Sequence, residues 1–320
     1  MNKFTHIDAT TVADAVSKLG QYGTTAIVMA GGTDLLGDQI DRFMPVQPQY
    51  IINLKTITPS LDYIKTDSTG LKIGALTRLH DIANSSAVQT SYPALSQAAN
   101  KVASWQIRNM GTIGGNICQQ VRCWYFRSSL DKFPCLRKDP KGLCYAMAGD
   151  NRYHSIFGAS NGCLSVNPSD IAPVLVALNA SVITNKRTLA ADGFFNGFTK
   201  NVLANDELIT EIDVPTPPQG SKQAFVKASV RKAIDFALVS ATVFFTPATG
   251  TITDARIVLG GVAGTPLRVK AAESAIIGQA MSATTAQAAS SAAVTGATTL
   301  PLNKYKAQMA IGLVSRALLS

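Results

Sequence analysis

Apolar positions in the first third of the chain alternate between two periods. Val12, Ala15, Val16 and Leu19 recur at helical spacing behind Thr10 and Thr11, which can cap a helix start. The run Ala26-Ile27-Val28-Met29 predicts a short strand, Leu35-Leu36 opens the next element, and Tyr50-Ile51-Ile52-Asn53-Leu54 reads as a buried strand. Residues 61–65 and 71–75 flank the turn sequence Asp67-Ser68-Thr69-Gly70 and predict a hairpin, with helices following around 79–83 and 94–102.

From 119 to 162 this rhythm stops. The stretch holds Arg122, Arg127, Arg137 and Arg152, three tyrosines, Pro134 and Pro140, with little apolar periodicity. So long an irregular segment inside a compact domain is either disordered or functional. A helix is expected next over 168–178, starting from Asn167 with Pro168 at its first position. The last third changes character. Apolar runs at 224–230, 236–245 and 251–259 and a Gly260-Gly261 turn predict an antiparallel sheet, and alanine-rich helices follow at about 271–277, 283–297 and 304–319. Strands and then helices, set off by the proline-rich stretch 214–218, imply a separate α+β lobe beginning near residue 215.

Composition narrows the class. The 320 residues are 46% apolar and 15% charged, which argues against disorder and against a coiled coil. No apolar run reaches the ~18 residues that span a bilayer. The first residues also lack the basic-then-apolar layout of a secretory signal, so a soluble protein without an export address of its own is expected. The net charge of +9 is scattered rather than blocked. Nucleic-acid binding therefore has no support from pattern, and an acidic partner or an anionic cofactor accounts for the sign equally well.

The cysteines change the picture most. Cys118, Cys123, Cys135, Cys144 and Cys163 are the only five, and all fall within residues 118–163, spaced C-x4-C-x11-C-x8-C-x18-C. Five is odd, and the chain is too long for a disulfide scaffold. Soft thiolates suit an iron–sulfur cluster or zinc, and buried or reactive free thiols are the third reading. The spacing alone, without C-x2-C pairs, does not decide among them. His154 could complete a zinc site or be a polar loop residue, and Trp124, Tyr125 and Phe126 could shield a cofactor or anchor the loop.

Two glycine loops carry the other chemistry. Ala30-Gly31-Gly32-Thr33-Asp34 follows a strand, and Asn109-Met110-Gly111-Thr112-Ile113-Gly114-Gly115-Asn116 enters the cysteine stretch. Paired glycines allow close backbone approach, and exposed amides with short polar side chains can hold phosphate oxygens. Neither loop is a Walker or GxGxxG pattern, and each alone reads equally as a tight turn. Together they suit a diphosphate cofactor held between two small lobes. No nucleophile elbow, triad or carboxylate pair stands out.

These loops, with Leu35-Leu36 after the first, Arg108 before the second, then Ser169-Asp170-Ile171-Ala172-Pro173 and finally Leu259-Gly260-Gly261-Val262-Ala263 with Pro266 and Arg268, resemble the FAD-binding subunits of the molybdenum hydroxylases. The likeness runs along essentially the whole chain. It implies an α+β chain with a two-lobed FAD-binding domain of the vanillyl-alcohol-oxidase/PCMH type over 1–215 (lobes about 1–56 and 57–215) and a C-terminal flavoprotein domain over 216–320. FAD would be held by Ala30, Gly31, Gly32, Thr33, Asp34 and Leu35 from one loop and Gly111, Thr112, Gly114, Gly115 and Asn116 from the other. Asp170 would reach the adenosine ribose, and Lys232 would line the flavin within Arg231-Lys232-Ala233-Ile234-Asp235-Phe236.

The inserted stretch 118–163 departs from most of the family. It resembles the branch that includes aldehyde oxidoreductase and 4-hydroxybenzoyl-CoA reductase subunits with an extra [4Fe–4S] cluster. That branch implies Cys123, Cys135, Cys144 and Cys163 as ligands, with Cys118 left out. Arg122, Arg127, Arg137 and Arg152 could balance the cluster's charge or be a solvated basic loop. The resemblance implies an electron-transfer subunit without catalytic residues of its own. It would serve a heterotrimer with a molybdenum-cofactor large subunit and a [2Fe–2S] small subunit, passing electrons to an external acceptor, of which a ferredoxin-like protein is one candidate. An aldehyde is the expected substrate of the whole. An aryl-CoA reductase or N-heterocycle hydroxylase is the alternative, and a zinc-stabilised interaction module is a third. The expected compartment is the cytoplasm, or the periplasm by co-export with a signal-bearing partner.

Overall fold

The computed structural model describes the chain apart from residues 1, 42, 45, 129–131, 199 and 232–233. Its first lobe is a parallel sheet of three strands, with Tyr50–Asn53 between Thr5–Asp8 and Ala26–Met29. The helix Val12–Tyr22 crosses it, capped by Thr11, whose hydroxyl accepts from the Asp14 N–H. Ala15 and Leu19 of this helix pack with the fully buried Ile52 and with Leu54, Ile57 and Leu61, so the expected helical stripe is the face that meets the sheet. A fully buried isoleucine contributes about 2 kcal/mol here.

The second lobe is a five-stranded antiparallel sheet in the order Ile64–Thr66, Gly70–Gly74, Ile209–Pro215, Ser181–Thr184, Thr188–Ala190. The hairpin around Asp67 forms, its first strand at Ile64–Thr66 rather than over 61–65, with the Asp67 carboxylate accepting from the N–H groups of Thr69 and Gly70. Ile209–Pro215, most of it in the stretch 179–213 where no element was expected, is the central strand. Helices Leu79–Asn84 and Pro93–Lys101 cover one side of the lobe's core.

The C-terminal sheet pairs Lys222–Ala228, Val239–Thr246, Asp254–Gly260 and Leu267–Arg268 antiparallel. Helices Ala283–Ala292 and Tyr305–Leu319 pack on it through Ala286, Ala289, Ala310, Leu313, Val314 and Ala317.

Three expectations need correction, the first being the helix expected over about 283–297, which ends at Ala292. The helix expected from Pro168 begins three residues later and runs Ile171–Ala177. Asn167 instead accepts from the Ser169 N–H, and the Ser169 hydroxyl accepts from the Ala172 N–H, so Ser169 performs the capping. Residues 236–238 were expected in a strand, but that strand starts at Val239. The residues before it turn back toward the first two lobes.

Within 119–162 the described residues form turns and isolated bridges rather than any helix or strand. Phe43, Val121, Phe126 and Cys135 make a small core of their own there, with Cys123 and Tyr145 packed against it.

Candidate functional site

Both glycine loops line one cleft of about 600 Å³ between the two N-terminal lobes. The first loop enters it directly from the strand Ala26–Met29, and the second wraps the start of the short helix Ile113–Ile117. Close approach explains the glycines. A Cβ on Gly31 would sit 1.9 Å from the Met110 carbonyl oxygen, so that position tolerates no side chain while the loops touch. A Cβ on Gly114 would lie 2.9 Å from the Ala75 carbonyl oxygen. Gly32 has φ +71°, where a side chain would be strained. Thr112 caps the second loop, its hydroxyl accepting from the Gly115 N–H at 3.2 Å.

Ala30, Gly31, Gly32, Thr33, Asp34 and Leu35 thus share the cleft wall with Gly111, Thr112, Gly114, Gly115 and Asn116. Two of these side chains are already committed within the protein. The Asp34 carboxylate accepts from the Gln120 N–H at 2.7 Å and from the guanidinium groups of Arg122 and Arg127, each at 2.8 Å. Burial works against its ionisation, but the two arginines hold it below the ordinary carboxylate range. Arg127 also reaches Asp38 at 3.2 Å. Asn116 accepts from the Ser169 hydroxyl at 2.6 Å, which ties the second loop to the Ser-Asp motif.

Asp170 is placed differently from expectation. It does not line the cleft; its carboxylate is buried and bonded to Lys227 Nζ at 2.6 Å, with each side chain only 4% exposed. Burial pushes its pKa up against the pull of Lys227. The motif is an interdomain joint, since a Cβ on Gly260 of the C-terminal sheet would also lie 2.8 Å from Pro173. Lys232 lies outside the described residues, while its neighbours Ile234 and Phe236 do reach the cleft. Cleft residues not expected from sequence include Cys118, Gln119, Gln120 and, from the run 203–209, every residue but Asp206. Glu207 holds that run, accepting from Arg187 at 2.8 Å and from the Ala204 N–H at 3.0 Å.

The cysteine segment forms the wall beside this cleft. Arg122 lines the cleft with its guanidinium 4.6 Å from the Phe236 ring centroid, and Cys123 follows it in sequence. No disulfide joins any of the five cysteines. Burial pushes the Cys123 thiol up to about 12, while backbone N–H groups of Phe126 and Tyr125 work in the opposite direction. The Cys135 thiol is likewise raised by burial and faces the N–H groups of Arg137 and Lys138. Cys163 is close enough to both for its charge to add to their rise. The segment before Cys144 bridges back to Cys135 through Leu143. His154 Nε2 lies 3.2 Å from Cys123 Sγ, and burial lowers the ring's pKa to about 4. Arg137 Nε donates to Cys163 Sγ at 3.1 Å, and the Ser165 hydroxyl lies 3.1 Å from the same sulfur. Arg152, by contrast, is exposed and paired with Asp150.

Among the described residues no three cysteine, histidine or carboxylate side chains close on a common point as a ready metal site. The donors are nonetheless soft thiols, with Cys123 and Cys135 in one small core, Cys163 near both, and backbone N–H groups facing the first two. That chemistry suits a metal whose insertion draws its ligands together, since such sites rarely exist preformed.

Two lobes meeting over a glycine-lined cleft, with a C-terminal sheet behind, define a two-lobed flavin-binding architecture. Comparison with known proteins gives the family. The model described as "FAD binding domain in molybdopterin dehydrogenase" matches residues 2–217, and that for the "CO dehydrogenase flavoprotein C-terminal domain" matches 224–320. The aldehyde oxidoreductase FAD-binding subunit PaoB of Escherichia coli is 34% identical over 284 residues, covering 85% of this chain and 86% of that one. The carbon monoxide dehydrogenase medium chain of Hydrogenophaga pseudoflava is 32% identical over 96% of this chain and 93% of its own. A solved structure of that carbon monoxide dehydrogenase matches with a TM-score of 0.79 at 30% identity, covering 99% of this chain and 96% of that one. The chain belongs to the FAD-binding subunits of the molybdenum hydroxylases, a family of oxidoreductase complexes. No helix among the described residues is long and apolar enough to cross a membrane.

Proposed function

We propose that this chain is the FAD- and [4Fe–4S]-bearing electron-transfer subunit of a molybdenum-dependent aldehyde oxidoreductase, working beside a molybdenum-cofactor subunit and a [2Fe–2S] subunit. The observation that carries this reading is the meeting of both glycine loops in one cleft whose adjoining wall is the cysteine segment. FAD supplies the ability to take electrons singly or in pairs and hand them on. The residues of this chain hold and orient it. The amides of the loops at Gly31–Asp34 and Gly111–Asn116 would hold the diphosphate, and Ile234 and Phe236 would flank the flavin. Asp34 would act indirectly, by fixing Arg122 on the cleft wall and Arg127 behind it rather than by touching an anionic phosphate.

Cys123, Cys135, Cys144 and Cys163 would ligate the [4Fe–4S] cluster, which supplies one-electron storage beside the flavin. Cys118 is not a ligand in this reading: it lies on the cleft wall, where Asn201 Nδ2 donates to its sulfur at 3.3 Å. The aldehyde class is supported by the 34% identity to an aldehyde oxidoreductase FAD-binding subunit.

The purified complex tests each part. Flavin should be present at one per copy of this chain, with about four iron atoms and about four acid-labile sulfides beyond those of the partner subunits. Zinc in place of iron would overturn the cluster. A substrate panel in which carbon monoxide or an N-heterocycle is oxidised and aldehydes are not would overturn the aldehyde assignment alone.

A further inference from the structure

We infer that His154, Arg137 and Ser165 are sulfur hydrogen-bond donors that raise the reduction potential of the cluster by acting on two of its ligands, Cys123 and Cys163. This rests on the [4Fe–4S] reading above. The geometry sets these three side chains apart from the rest of the segment. His154 is 3% exposed, its Nε2 lies 3.2 Å from Cys123 Sγ, and its Nδ1 has no partner. The sulfur is therefore the ring's only polar contact. A buried imidazole kept for packing alone would more cheaply be an aromatic ring, and this one already stands among Trp124 and Tyr125.

Its position is fixed from the other domain. Asn303 Nδ2 donates to the carbonyls of His154 and Ser155, and Lys306 Nζ donates to those of Tyr153, His154 and Gly261. Asn303 and Lys306 are thus positioning residues that hold the histidine against its sulfur. On Cys163, Arg137 spends its Nε on the sulfur at 3.1 Å while its Nη2 is anchored on the Gly197 carbonyl at 2.9 Å. Ser165 is 2% exposed and places its hydroxyl 3.1 Å from the same sulfur.

The physical consequence follows from charge. Reduction adds one electron, and so one unit of negative charge, to a cluster and thiolates that are already anionic. Donors fixed on the sulfurs stabilise the reduced state more than the oxidised one, and the potential rises. Arg137 adds a full positive charge to that effect.

The test is a reductive titration of the holo-complex with dithionite, following the cluster by electron paramagnetic resonance and the flavin by absorbance. Iron and sulfide are measured first. Their absence from the wild type would refute the cluster reading itself, whereas a cluster present at full content leaves only the tuning in question. With content intact, His154→Phe should shift the cluster midpoint to a more negative value, its reduction equilibrium constant falling on the order of tenfold for one lost donor to a charged acceptor. His154→Gln, which keeps an N–H, should restore part of the shift. Ser165→Ala removes one hydroxyl without enlarging any side chain and should move the midpoint the same way by less. Midpoints equal to wild type in both His154→Phe and Ser165→Ala would overturn the proposal. If His154→Phe loses iron, Ser165→Ala decides by itself.

Discussion

Around the glycine loops the backbone itself makes the surface, whereas residues 119–162 are fastened to the rest of the chain largely through side chains. The loop at Gly31 leaves its strand, meets the Met110 carbonyl and is backed by a sheet whose central residues are fully buried. The cysteine segment has only the small core around Phe43, Val121, Phe126 and Cys135. It is fastened outward instead, by Arg122 and Arg127 to Asp34, by Arg137 to Gly197 and by its carbonyls to Lys306. A cleft for a large, diffusible cofactor can be formed in advance by close packing. A ligand shell of buried thiols cannot, because four ionised sulfurs would repel one another until a metal compensates them.

The sharpest way to break this contrast is at Gly31. Gly31→Val drives a side chain into the Met110 carbonyl and separates the two loops. Bound flavin, read by absorbance of the purified complex, should fall on the order of tenfold or more. Iron at the proposed cysteine ligands should fall much less, because only the pairings of Arg122 and Arg127 with Asp34 run through this loop, while Arg137 on Gly197 and Lys306 on the His154 carbonyl do not. Loss of both together would mean that the two regions form one cooperative unit.

How much of this was readable in advance follows the same division. The glycine loops were legible because close approach demands glycine and leaves it in the sequence. The hairpin at Asp67 and the helix at Val12 carry their own turn and cap residues. The third wall of the cleft at 203–209 has no such mark; it arrives there because the next strand, Ile209–Pro215, pairs on both edges. Lys306 sits in an alanine-rich helix and gives no sign that its ammonium will be fully buried on three carbonyls. Asp170 misled for a different reason. A carboxylate in a polar motif suits a ribose diol and a lysine equally, and the lysine stands 57 residues further along the chain.

Asp170 therefore offers the next test. Asp170→Asn leaves Lys227 buried without its counter-ion, which should cost about 3–5 kcal/mol. Thermal unfolding should show the loss, while flavin per folded chain should not change. An unaltered melting temperature with weakened flavin binding would return Asp170 to the cofactor.

Lys306 sharpens the comparison from the cysteine side. Burial pulls its pKa down to about 7, and in the unfolded chain a lysine titrates at about 10.4. Between those values the unfolded state binds a proton that the folded state does not, so this group's contribution to stability rises with pH across the window. Below pH 7 the folded protein carries the full cost of a buried ammonium. Wild type should therefore gain on Lys306→Met as pH rises from 7 towards 10, by at most about 1.4 kcal/mol per pH unit. Melting temperatures of the two proteins that run parallel over that range would show that the lysine does not titrate on unfolding.

The smallest effect is expected at the cleft wall itself, where it separates a structural hydroxyl from a ligand-binding one. Thr112 accepts from the Gly115 N–H, and a cap of this kind is worth about 1 kcal/mol. Thr112→Ala should lower the melting temperature by about 2–4 °C, the shift that such a loss produces in a domain of this size. Gly115 keeps its amide in the variant, and the loop keeps its close contact between Gly114 and Ala75. If the backbone makes the cleft, flavin affinity should then fall by less than stability does. A variant that melts like wild type but releases its flavin would place the hydroxyl on the cofactor, and the loop's hold on a diphosphate would then depend on a side chain as well as on amides.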